Sequence, residues 1–162
     1  MAVVLLGGCQ AIKQAKSKTV SALRVHMEAD SNKQSDTQTI TLLRDDPVSF
    51  TIEKEPILTE ASLIESRVIE TQGGFAIQVH FDESSGMVLE QYSAANPGKH
   101  FLIWGQWGER ISDSRWLAAP LITRRIVSGV LSFTPDMSRT NADRLVLGLN
   151  NVSKNINKGQ LK

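Results

Sequence analysis

Arg67-Val68-Ile69-Glu70-Thr71-Gln72-Gly73-Gly74-Phe75-Ala76-Ile77-Gln78-Val79-His80-Phe81-Asp82, continued by Glu83 to Gln91, decides the fold. Phe75, Ile77, Val79 and Phe81 recur with a period of two, and Ala76, Gln78, His80 and Asp82 alternate with them, which predicts a half-buried strand. A strand from about Ile64 to Thr71 precedes it. Gln72-Gly73-Gly74 supplies the positive φ that a tight reversal between the two needs. Asp82 is placed to cap a helix running to about Ala95, because its carboxylate can accept an otherwise unpaired N–H of the first turn. Val88, Tyr92 and Ala95, with Met87 and Leu89, predict the stripe by which that helix lies on the sheet. Asn96-Pro97-Gly98 ends it.

Strands are expected on both sides of this unit. Thr19 to Glu28 alternates, with Leu23, Val25 and Met27 on one face and Arg24, His26 and Glu28 on the other. Gln38 to Leu43 and Val48 to Lys54 resume the alternation after a polar loop, and Pro47 starts the second of them where its missing N–H costs least. Lys99 to Trp107 and Arg110 to Ala118 read as a hairpin, Ala119 to Ile126 as a crossing segment and Val130 to Phe133 as a short strand. Thr134-Pro135 reads as a helix start, proline losing no bond at a first helical position. That helix is expected to run to about Val152, with Met137, Leu145, Leu149 and Val152 inward. Strands mixed with two helices on short connections predict an α+β domain: an antiparallel-rich sheet with two helices on one face.

With 162 residues, 41% of them hydrophobic and 22% charged, the chain has the balance of one globular domain with tails. A formal net charge of +1 spread along the chain gives no electrostatic footprint for nucleic acid. The single cysteine excludes an internal disulfide and a cysteine-rich metal site. Cys9 follows Ala2-Val3-Val4-Leu5-Leu6-Gly7-Gly8, which resembles the lipobox of bacterial lipoproteins: Leu6 three residues before the thiol, small residues between, and Cys9 as the lipidated first residue after cleavage. The apolar segment is shorter than the 7 to 15 residues of a secretory signal. The lipobox reading therefore expects a start upstream of Met1, and a small free cysteine remains the alternative. Gln10 to Lys18 reads as a linker.

Thr59-Glu60-Ala61, Arg67-Val68, Gly74 to Asp82, Gly98-Lys99-His100-Phe101-Leu102-Ile103-Trp104-Gly105, Ala119-Pro120-Leu121-Ile122, Gly129 and Phe133-Thr134 together resemble the periplasmic P1 head domain of SecD, a subunit of the bacterial preprotein translocase. The resemblance spans residues 59–152 and implies a ferredoxin-like α+β head outside the cytoplasmic membrane, in contact with unfolded or emerging protein. Proton-driven pumping is not implied, since no stretch matches the transmembrane bundle that performs it. The organisation that follows is a lipoprotein signal at 1–9, a linker at 10–18, N-terminal strands at 19–58, the head at 59–152 and a polar tail at 153–162.

Catalytic, cofactor and metal sites are not expected. His26, His80 and His100 lie on separate strands without an acidic cluster, and Asp82-Glu83 is explained by capping. Trp104, Trp107 and Trp116 share one predicted hairpin, so Trp107 and Trp116 are candidates for a partner-binding platform, with core packing as the competing reading. The basic pair Arg124-Arg125 could meet an acidic partner or simply be solvated. The function expected is that of a non-enzymatic, protein-binding envelope domain, held on the periplasmic side by a lipid on Cys9. The alternatives are a structural accessory of an envelope or protein-export complex without its own ligand and, resting only on the tryptophans, a small-molecule or sugar-binding enzyme.

Overall fold

The computed structural model describes residues 19–30, 32, 36–42, 45–108, 110 and 113–159. The lipobox and linker expected at residues 1–18, Cys9 among them, lie outside them.

The strands are β1 (Ala22–Met27), β2 (Thr37–Leu42), β3 (Val48–Glu53), β4 (Leu58–Thr59), β5 (Leu63–Thr71), β6 (Gly74–Phe81), β7 (Phe101–Gln106), β8 (Ser114–Ala118) and β9 (Val130–Phe133). Helix α1 is Glu83–Ala95 and helix α2 is Arg139–Asn157. The α+β class and the antiparallel pairing are as expected, but among the described residues the strands form three sheets: β4-β1-β7-β8, β5-β6-β9 and the hairpin β2-β3. The decisive unit is present, with β5 and β6 joined through Gly73 at φ +86° and Asp82 Oδ1 accepting from Ser85 N–H at 2.8 Å.

One core lies between the two larger sheets and the helices. Leu23, Val25 and Met27 of β1, Ile77, Val79 and Phe81 of β6, Phe101 and Ile103 of β7 and Leu131 and Phe133 of β9 meet Leu89 of α1 and Leu145 and Leu149 of α2. The inner face of α1 is Leu89 and Ser93, one turn apart, with Val88 and Tyr92 flanking. Met87 and Ala95, expected on it, are exposed. Helix α2 starts four residues later than Thr134-Pro135 suggests. Asp136 N–H donates to the carbonyl of Leu117 at 2.7 Å, which ties that segment to β8, and Ser138 takes the cap by accepting from Asn141 N–H. The helix continues to Asn157, so the expected tail from Ser153 is helical in its first turn.

A second, smaller core covers the opposite face of the four-stranded sheet. The hairpin β2-β3 folds over it, and Ile40 and Ile52 pack on Leu102, with Phe50, Trp116 and Ala119 at the margin. His26 is therefore only 5% exposed, although strand parity places it on the side expected to be polar. Its Nδ1 lies 2.9 Å from the carbonyl of Glu53, and its ring meets the Trp116 indole edge-on. Burial holds its pKa below the ordinary value, the neighbouring Arg24 adds to this, and the bond to the Glu53 carbonyl opposes it.

Candidate functional site

The tryptophan hairpin forms, with β7 antiparallel to β8, but it offers no platform at Trp107. Trp107 is 3% exposed and sits in the main core, its ring covered by the guanidinium of Arg115 at 5.3 Å. The chain carries it inward just past the end of β7, where its N–H donates to the carbonyl of Asp113. Trp104 and Trp116 are register partners on the opposite face. Trp104 lies under Arg24, and Trp116 is half-buried at the margin of the second core. An indole that fills a core gains more from apolar burial than a surface contact would return.

Arg124 and Arg125 lie on the segment between β8 and β9, and here the surface is concave. A groove of about 430 Å³ is bounded by Leu121, Arg124, Val127, Leu131 and Ser132 among others. A second hollow of about 340 Å³ lies against α1 at Met87, Glu90 and Ala94, and Arg125 belongs to both. Arg125 is ion-paired with Glu90 of α1, while Arg124 points into solvent without an ion pair among the described residues. Val127, Met87 and Leu121 are 70%, 60% and 52% exposed, and single exposed apolar side chains are ordinary, but Leu121 and Val127 on one hollow and Met87 on another that shares Arg125 with it are a grouping of the kind that marks interaction surfaces.

The segment is held in shape by the core beneath it. Ile122 is buried, donates its N–H to the Lys99 carbonyl at 2.8 Å and accepts from Gly98 N–H at 2.8 Å. Ile126 N–H donates to Ser93 Oγ of α1 at 2.8 Å. Gly129, at φ +67°, lies so near Gly86 that a Cβ on Gly86 would come within 3.3 Å of its Cα. A side chain at Gly86 would require the segment to give by a few tenths of an ångström, and one at Gly129 would be strained by its positive φ. The groove is thus preformed rather than a product of loop excursion.

The remaining candidates do not converge. His80 is exposed on the outer face of the three-stranded sheet beside Glu65, Arg67 and Gln78, and His100 Nδ1 pairs with Glu28 at 2.7 Å on another face. Among the described residues no three His, Cys, Asp or Glu side chains gather as metal ligands. Sequence reasoning reached Arg124 and Arg125 but missed Leu121, Val127 and the open edge of β9 beside them. A four-residue strand with no later strand to pair with it was the available signal.

No family model matches the chain, and no curated protein matches it in sequence. Among solved structures it is similar to SecDF, described as a membrane component that enhances protein export, with TM-score 0.59 at 18% identity over 93% of this chain and 72% of that one. SecDF in its super-membrane-facing form is similar at TM-score 0.58 and 19% identity, over 91% of this chain and 21% of that one. At such identities the likeness is one of fold, and the fold is that of SecDF's head-like α+β region. No helix among the described residues is long and apolar enough to cross a membrane.

Proposed function

We propose that this chain is an accessory domain of protein export or of the cell envelope, non-enzymatic, held at a membrane through a lipid on Cys9, and that it binds protein in the groove between Leu121 and Ser132. The fold likeness to SecDF supports the export setting, and the lipobox-like run before Cys9 supports the anchor. The observation that carries the binding reading is the preformed groove with Leu121 and Val127 exposed along its wall and Arg124 free at its rim. Apolar contact supplies affinity for a protein segment of varied sequence, and a rim cation favours segments that carry acid.

A photo-crosslinking residue in place of Val127, introduced into the full chain in cells, tests the binding half. Crosslinks to many incompletely folded proteins are expected. A single stoichiometric partner would replace this reading with that of a structural accessory. Metabolic labelling with a palmitate analogue tests the anchor: label lost in Cys9→Ala is expected, and a chain unlabelled even with its full upstream signal would refute it.

A further inference from the structure

Sheet β5-β6-β9 has two outer edges, and they are finished differently. Hydrogen-bonded and non-hydrogen-bonded pairs alternate along an antiparallel ladder. Phe81 N–H donates to the carbonyl of Gly129 at 3.0 Å, so the bonded pairs that follow are Val79–Leu131 and Ile77–Phe133. Val130 and Ser132 then direct their backbone groups away from β6. Val130 N–H is met by Ser128 Oγ at 3.3 Å, as that geometry requires. Ser132 presents both its N–H and its carbonyl outward, and β9 pairs with β6 alone among the described residues. The Ser132 hydroxyl is engaged elsewhere, accepting from Gln78 Nε2 at 3.2 Å. On the opposite edge, β5 aims the backbone groups of Ser66 outward in the same way, and there the side chain of Asn150 on α2 closes them at 2.8 and 2.9 Å.

We infer that the β9 edge takes an extended polypeptide segment as an added strand, held by the N–H and carbonyl of Ser132, with alternate side chains received by the Leu121–Val127 wall of the groove. The inference rests on the groove being a protein-binding site and names how the segment is held. A strand edge offers backbone groups, so it selects extended conformation rather than sequence. The groove runs along Val130, Leu131 and Ser132, which places the apolar wall beside the open edge. By the period of two, one set of side chains in the added strand lies on the Leu131 side and the other beside Ser132 and Gln78. Arg124, exposed at the rim, favours a segment carrying a carboxylate. The occupant is thus an extended segment of alternating apolar and polar residues with an acidic member, as an unfolded chain exposes.

The test uses the full chain with reduced, carboxymethylated lactalbumin as a permanently unfolded probe. Ser132→Pro removes the outward N–H without touching a backbone bond to β6, and Ser132→Ala loses the same hydroxyl bond to Gln78 while keeping the backbone intact. Loss of about one hydrogen-bonded contact predicts about tenfold weaker binding for Ser132→Pro and a change within about twofold for Ser132→Ala. Equal binding by a folded Ser132→Pro would overturn strand addition while leaving protein binding in place. No binding by the unaltered chain would overturn both. Should Ser132→Pro not fold, short Val-Thr peptides with one Glu, N-methylated at successive positions, are titrated against the unaltered chain. Loss of binding at every second position is expected, and uniform tolerance would overturn the inference.

Discussion

The side-chain amide of Asn150 stands in for a neighbouring strand at Ser66: its Oδ1 accepts the Ser66 N–H at 2.8 Å and its Nδ2 donates to the Ser66 carbonyl at 2.9 Å. The Ser66 hydroxyl donates to the same Oδ1 at 3.1 Å. Side chains of α2 therefore finish the β5 edge, Asn150 at Ser66 and Ser153 by donating its hydroxyl to the Ile64 carbonyl at 2.8 Å, and among the described residues no side chain does so for the backbone of Ser132 on the β9 edge of the same sheet.

Asn150→Ala leaves the buried N–H and carbonyl of Ser66 without partners, and each orphaned group costs about 1–3 kcal/mol. A loss of roughly 2–4 kcal/mol is expected in urea denaturation. A loss within about 0.5 kcal/mol would mean that water replaces the amide and that the edge is not closed by it.

Trp107 and Arg124 separate core from surface. Trp107→Ala empties a core position and is expected to cost about 3–5 kcal/mol, with binding altered only as far as the fold is lost. Arg124→Ala should leave stability within about 0.5 kcal/mol and weaken binding of acidic segments, with the difference shrinking as salt rises. Thermal denaturation and titration of the two variants in parallel check both.

Stability should fall on acidification through His26. Burial lowers its folded-state pKa below the unfolded value of about 6.5, so the unfolded chain binds the proton more readily. The contribution is complete above that unfolded value and is lost as pH falls from it toward the lower folded value. The Glu53 carbonyl favours the protonated ring, so the sensitivity comes from burying the charge and not from loss of that bond. Melting temperatures across this window should slope for the unaltered chain and flatten in His26→Phe. Equal slopes would assign the acid sensitivity elsewhere.

The parts of the fold that local chemistry decides were legible in the residues. Gly73 turns β5 into β6, Asp82 caps α1, and the alternation of Phe75 to Phe81 marks the buried face as written. What parity could not reveal was that both faces of the four-stranded sheet are covered. That depends on the hairpin β2-β3 returning over Leu102, a contact between residues far apart in sequence, and it buries His26 and half-buries Trp116. The start of α2 was misread for a similar reason. Thr134-Pro135 has the chemistry of a helix start, but the bond from Asp136 to Leu117 holds that segment to β8 and passes the cap to Ser138. At the site, Arg124-Arg125 was visible as a charge pair, whereas the groove beside it exists only because Ile122 and Ile126 are pinned to Lys99, Gly98 and Ser93.

Val127→Asp places a charge on the apolar wall at an exposed position. Stability should stay within about 0.5 kcal/mol while affinity for the unfolded probe drops by about tenfold or more. Unchanged affinity would remove Leu121 and Val127 from the binding surface.

Residue-resolved amide hydrogen exchange compares the two edges in one experiment. In the free chain Ser66 is expected to be protected and Ser132 to exchange as an open amide despite lying in a strand. Saturating unfolded probe should slow Ser132 and leave Ser66 as it was. A Ser132 amide already protected in the free chain, or one that the bound probe leaves unchanged, would contradict strand addition at β9.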